Sequence, residues 1–196
     1  MTPMDIATDA ALLVIDVQQG FEDAAFWGRR DNPDAEQNIA ALIAAWEGTG
    51  RPVVVVQHAS RTSPPLYDGT PGFALKPVVA AVEPSLLVRK SVNSAFYGTP
   101  DLHDWLTRAG IRQLVLCGIQ TNMCVETTAR MAGNLGYDVL FPADAMHTFD
   151  LAGPDGTVLS AEDLTRATVT TLHGGGFARV APTADVVRAA TAVPVA

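Results

Sequence analysis

The chain is sparing with the residues that most often carry chemistry. Its 196 residues include two cysteines, two lysines against eleven arginines, and four histidines. Cys117 and Cys124 stand seven residues apart, a spacing that fits neither a CxxC redox pair nor a zinc ribbon. Charged residues make up only 17% of the chain, and the net charge is −8. With no basic stripe to offset that balance, a nucleic-acid surface is excluded. No apolar run approaches the roughly 20 residues of a membrane span. The opening "MTPMDIATDA" lacks a basic segment and an apolar core, so no secretory leader is expected and a cytoplasmic location is. There a structural disulfide is not expected either. No repeat, linker or low-complexity tract divides the chain, so residues 1–196 are expected to form a single domain around one core.

What is present is apolar and regularly alternating. Nearly half the residues (48%) are hydrophobic, which excludes overall disorder. "ALLVIDV" (11–17), "RPVVVVQH" (51–58), "SLLVRK" (85–90), "IRQLVLCG" (111–118), "YDVLFPAD" (137–144) and "FARVA" (177–181) read as strands, mostly of the buried parallel kind. Between them lie helical segments. "DAEQNIAALIAAWEGTG" (34–50) spaces Ile39, Leu42, Ile43 and Trp46 for one helix face and stops at glycine. "TPDLHDWLTRAG" (99–110) offers Thr99 as a cap before Pro100. "SAEDLTRATVTTLHGG" (160–175) offers Ser160, with acids in the first turn. The pattern predicts a three-layer doubly wound α/β fold, about six mostly parallel strands with helices on both faces. One long irregular stretch, 59–77, is rich in proline and glycine, and a loop of that length is expected to be functional or an interface arm.

Ligands of open α/β sheets bind beyond the carboxyl ends of the strands. Asp16 ends the first strand, His58 the second and Lys90 the third, and the Gly118–Cys124 turn follows the fourth. Asp16 has apolar flanks, which favours a buried acid fit for proton transfer over a surface acid. Lys90 reads either as a compact ammonium placed at the edge or as a rim lysine. Cys124 falls where a helix begins, so exposed N–H groups and the helix dipole favour a thiolate. The competing reading is a small buried side chain, which suits Cys117 in its continuous core strand better.

"LLVIDVQQGF", "VRKSVNSAFYGT" and "LCGIQTNMCVETTARMAGNLGYDV" together resemble the isochorismatase-like cysteine hydrolase superfamily, and the likeness extends to "PADAMHTFD" and "LHGGGFARV". That group includes nicotinamidases, N-carbamoylsarcosine amidohydrolase and biuret hydrolase. The resemblance implies Cys124 as nucleophile, Asp16 as its proton acceptor and Lys90 as third catalytic member. It also implies a cis peptide between Ile119 and Gln120, with the backbone N–H groups of Gln120 and Cys124 forming an oxyanion hole. The activity implied is hydrolysis of a small amide, ureide or related C–N substrate through a thioester, without a cofactor. Family members that cleave a vinyl ether lack the cysteine, so Cys124 speaks against an isochorismate-type ether.

Nicotinamidases carry an Asp-x-His pair and a further histidine after the second strand, where this chain has Gln57-His58. A lone histidine is a poor zinc site, so no catalytic metal is expected. Phe21, Trp27, His58, Phe96, Tyr97 and Ile119 are candidates for pocket walls. Arg29, Arg30 and Arg61 are expected to be solvated at the surface, and His173 to sit at a helix end before its glycine stop. Expected partners are a small-molecule substrate and further copies of the chain, with neither nucleic acid nor membrane. Two rivals remain at this point: hydrolysis of an ester, lactam or ether on the same site, and a fold-conserving binding or redox-responsive protein without turnover. Asp16→Asn is expected to stop turnover and leave folding intact.

Overall fold

Alternating apolar positions within the strands serve two cores at once. The computed structural model describes residues 4–61 and 65–192. Its strands are β1 (Ala11–Ile15), β2 (Val53–His58), β3 (Leu86–Lys90), β4 (Gln113–Ile119), β5 (Asp138–Phe141), β6 (Met146–His147), β7 (Leu151–Ala152), β8 (Val158–Leu159) and β9 (Arg179–Val180). The longer helices are α1 (Ala35–Gly48), α2 (Leu102–Arg108), α3 (Glu126–Asn134), α4 (Ala161–Gly174) and α5 (Thr183–Thr191). Leu12, Val14, Val53, Val55, Val115 and Cys117 face one core with Ile39, Leu42 and Trp46 of α1 and Val186 of α5. Their neighbours Leu13, Ile15, Val54, Val56, Leu114 and Leu116 face the other, with Leu106 of α2, Ala129 of α3 and Leu172 of α4. Burial on both faces is why these strands read as unbroken apolar runs. The result is a three-layer α/β fold.

The main sheet has the order β3-β2-β1-β4-β5-β9, with β6 also paired to β4. Every pairing in it is parallel. Strand order reverses between β1 and β4, and that reversal opens a crevice at the carboxyl edge. β1 and β4 approach closely there: a Cβ on Gly118 (φ 130°) would lie 2.0 Å from the carbonyl oxygen of Ile15, so only glycine fits. No helix among the described residues is long and apolar enough to cross a membrane.

Several local expectations are corrected. Thr99 does not cap α2. Its N–H and C=O pair with Arg89 at 2.8 and 2.9 Å, holding it in an antiparallel bridge, and Asp101 caps instead by accepting from Asp104 N–H at 2.9 Å. Ser160 caps α4 as expected, accepting from Asp163 N–H at 3.1 Å. The segment between β5 and α4 holds the small hairpin β7–β8, too short and too exposed to leave an alternating pattern. The 59–77 stretch, apart from 62–64 outside the described residues, folds back on its own chain: Leu75 bridges Gln18, and Leu66, Phe73 and Lys76 are buried.

Candidate active site

Parallel register delivers the polar side chains to one edge. Ile15 is level with Val56 and Gly118, and His58 is level with Lys90. Asp16 follows directly, in the left-handed region at φ 54°, a conformation that costs a non-glycine residue free energy and is held only where the surroundings impose it. Here they do: Asp16 N–H donates to Val56 C=O, and its own C=O accepts from Gln18 N–H, each at 2.9 Å. The turn leaves its carboxylate with no solvent exposure at the carboxyl edge of the sheet.

Lys90 Nζ donates to Asp16 Oδ2 at 2.5 Å, with both side chains fully buried. It also lies 3.2 Å from His58 Nδ1. Asp16 Oδ1 has no hydrogen-bond partner among the described residues. One donor atom each of Asp16, His58 and Cys124 lie within 4.8 Å of one another. Such a trio is able to bracket a cation, but the ammonium of Lys90 already sits against two of its three members.

Cys124 lies in a wide turn, Thr121–Val125, that precedes α3, and it is 8% exposed. Met123 and Val125 N–H both donate to Gln120 C=O at 3.2 Å, a π-type opening of the kind often found at functional positions. The Ile119–Gln120 peptide is cis. No described residue accepts from the Gln120 N–H, which leaves that donor available to a ligand.

The electrostatics correct the expected low-pKa thiol. Burial, then the Asp16 carboxylate, push the Cys124 thiol well above its ordinary value, and Lys90 offsets only part of this. Burial works against the Lys90 ammonium too, but the Asp16 carboxylate against it holds its pKa above the usual lysine value. Burial and the adjacent Lys90 lower the pKa of His58, so its imidazole is neutral. Burial and Asp16 thus favour the neutral thiol, with the Lys90 ammonium bound to Asp16. Alkylation of Cys124 by iodoacetamide, followed by peptide mass, is expected to reach half-maximal rate above the pH of about 8.5 typical of free thiols. A half-point below that value would restore the dipole-ionised reading.

The isochorismatase domain family matches residues 10–173, a span that holds Asp16, His58, Lys90 and Cys124. The chain belongs to the isochorismatase family of hydrolases. It is 36% identical over 164 residues to the isochorismatase family protein YrdC of Bacillus subtilis, covering 83% of this chain and 87% of that one. It is 35% identical over 149 residues to a streptothricin hydrolase of Streptomyces noursei, covering 74% of this chain and 57% of the relative. Among solved structures, an isochorismatase-family protein from Chromobacterium violaceum superposes with a TM-score of 0.90 at 36% identity, covering 97% and 98% of the two chains.

The residues suggested as pocket walls have varied fates in this isochorismatase fold. Phe21 is buried and its ring stacks on Phe149 at 6.2 Å, while Trp27 lies 5.0 Å from Phe21 and 5.3 Å from Phe149. Ile119 is buried in the same core, across the sheet from the core containing Cys124. Phe96 is buried against Tyr137 and His103. Tyr97 alone among these aromatics is largely exposed, at 69%. His58 stands in the cluster itself. Arg29 lies at the surface, 53% exposed, where it pairs with Asp150 and Glu162, while Arg30 is half-buried against Glu36. Arg61 is exposed, with its Nε on Ser91 Oγ at 2.9 Å. His173 occupies the last turn of α4, with Gly175 as C-cap.

Three buried polar residues went unread in the sequence. The Gln18 amide, fully buried, pairs with the backbone of His58. Thr128 accepts from Ala95 N–H at 3.1 Å and donates to Cys124 C=O at 2.7 Å, joining the loop after Lys90 to the turn that carries the sulfur. Lys76 is buried against Glu22 and Glu36, with His147 3.6 Å from Glu36. Lysine scarcity was the available signal for Lys76, since it applies to that residue as much as to Lys90.

Proposed function

We propose that this hydrolase cleaves a small amide or related C–N substrate through a Cys124 thioester, with Asp16 and Lys90 completing a catalytic triad. The observation that carries the reading is a fully buried Asp16, with its Oδ1 unpartnered and its Oδ2 on the Lys90 ammonium, placed within 4.8 Å of the Cys124 sulfur. Asp16 takes the thiol proton as sulfur attacks the carbonyl carbon, so the anion is generated during attack rather than stored beforehand. The C=O electron pair moves to oxygen, and the resulting oxyanion is met by the N–H groups of Gln120 and Cys124. Collapse re-forms the carbonyl and breaks the C–N bond, and the leaving amine takes its proton from Asp16. Water then gives a proton to Asp16 and adds its oxygen to the thioester, which releases the acid and returns the proton to sulfur. Lys90 stays charged throughout and stabilises both the carboxylate and the developing thiolate.

The test is a panel of small amides and ureides assayed for ammonia release, with acid-quenched samples weighed intact. Turnover accompanied by an acyl adduct on the Cys124 peptide is the expected result. Ammonia release with no adduct under single-turnover conditions would exclude the covalent route, and hydrolysis confined to esters or ethers would exclude the C–N substrate.

A further inference from the structure

Lys90 has three N–H donors on a freely rotating ammonium, and the usefulness of the third depends on where the first two are held. One goes to Asp16 Oδ2 at 2.5 Å. The second meets His58 Nδ1 at 3.2 Å. An ammonium has no lone pair, so Nδ1 must be the acceptor, and the ring proton of the neutral imidazole must lie on Nε2. Taken together, Asp16 and His58 stop the rotor and leave the remaining N–H for the sulfur, which lies within 4.8 Å of a carboxylate oxygen of Asp16 and a ring nitrogen of His58.

We infer that His58 is a positioning residue of this site: its neutral imidazole, as the Nε2–H form, fixes the Lys90 ammonium so that one N–H serves Cys124. The imidazole is itself held in place. His58 N–H donates to Gln18 Oε1 at 2.8 Å, and Gln18 Nε2 donates to His58 C=O at 3.0 Å and to Phe73 C=O at 2.9 Å. That two-way amide clamp ties the end of β2 to the turn bearing Asp16. The charged and titratable groups facing the ring are Lys90 from β3, Asp16 from the end of β1 and Cys124 from the turn after β4. Protonation would turn the acceptor into a donor aimed at a cation and release the rotor. This inference rests on Cys124 as nucleophile, but its readouts do not require turnover of any amide.

The experiment is a pair of substitutions read in two ways. Long-range proton–nitrogen spectra of protein labelled at its histidines report each ring's tautomer, and His58→Asn assigns the His58 signals by their loss. The expected pattern is an Nε2–H ring that stays neutral below the ordinary histidine value of about 6.5. The second readout is the rate of iodoacetamide alkylation of Cys124 at constant pH. His58→Asn keeps an oxygen acceptor near the Nδ1 position and is expected to stay within about threefold of the native rate, whereas His58→Leu is expected to fall about tenfold, the effect of roughly one pKa unit on a sulfur. An Nδ1–H ring, a ring that titrates at or above the ordinary value, a leucine variant as fast as native protein, or an asparagine variant as slow as leucine would each overturn the assignment. Cys124→Ala separately tests the nucleophile, so the two readings fail by different results.

Discussion

Cys124→Ala is expected to lower kcat for amide hydrolysis by about 10⁴-fold or more, the scale seen when the nucleophile of an acyl-transfer site is removed. The fold should survive. The side chain is small, and truncating it is expected to shift stability by no more than about 1 kcal/mol, which thermal melting will measure. The loss should fall on kcat rather than KM, because sulfur bonds to the substrate only once reaction begins. No acyl adduct should accumulate in the variant. A Cys124→Ala protein retaining more than a tenth of native turnover would leave Asp16 to activate water directly and would remove the thioester from the mechanism.

The effect is expected to be large because the site does little for the thiol in advance. Burial and Asp16 favour the protonated form of the sulfur. In the proposed mechanism, proton transfer to Asp16 becomes part of productive attack only when a carbonyl arrives. The geometry suits that proposed role for Asp16, with one carboxylate oxygen bound by Lys90 and the other unpartnered among the described residues.

Much of this was legible before any coordinates. Six strand segments and the carboxyl-edge rule brought Asp16, His58, Lys90 and Cys124 to one side, because apolar runs and strand ends are local properties of the chain. The charge state of the sulfur was not legible. A helix start is visible in sequence, but the fact that Asp16 turns through φ 54° to face the thiol depends on β1 and β4 packing closely at Gly118. The packing of the aromatic candidates was not legible for a related reason. Phe21, Trp27 and Phe96 follow the strand ends that carry Asp16 and Lys90, and their rings pack against Phe149 or Tyr137, partners that come from more than thirty residues away. Gln18 looked like one half of a turn, and only the register of β2 gives its amide a backbone to bind.

Lys90→Met carries the second large expectation, and it concerns stability as much as activity. Neither Lys90 nor Asp16 has any exposed side-chain surface. Removing the ammonium leaves a buried carboxylate with one oxygen newly unpaired and the other already so. Breaking a buried pair from one side costs about 3–5 kcal/mol, and at about 2–4 °C per kcal/mol for a chain of this size the melting temperature is expected to drop by about 6–20 °C. Asp16→Asn is expected to fall in the same direction, because it strands the ammonium, which revises the sequence expectation that this substitution leaves folding intact. The double variant Asp16→Asn with Lys90→Met buries no net charge and is expected to melt above either single variant, though it should be inactive. Its excess over additivity measures the pair. The pH dependence has a definite sign. The folded pKa of Lys90 is raised, so its contribution is complete below its unfolded value of about 10.5 and fades as pH climbs through the folded one. The deficit of Lys90→Met should therefore stay constant from neutral pH to about 10 and shrink only above it. If both single variants melt with the native protein, the buried pair contributes nothing to stability. The ammonium would then be retained for chemistry alone.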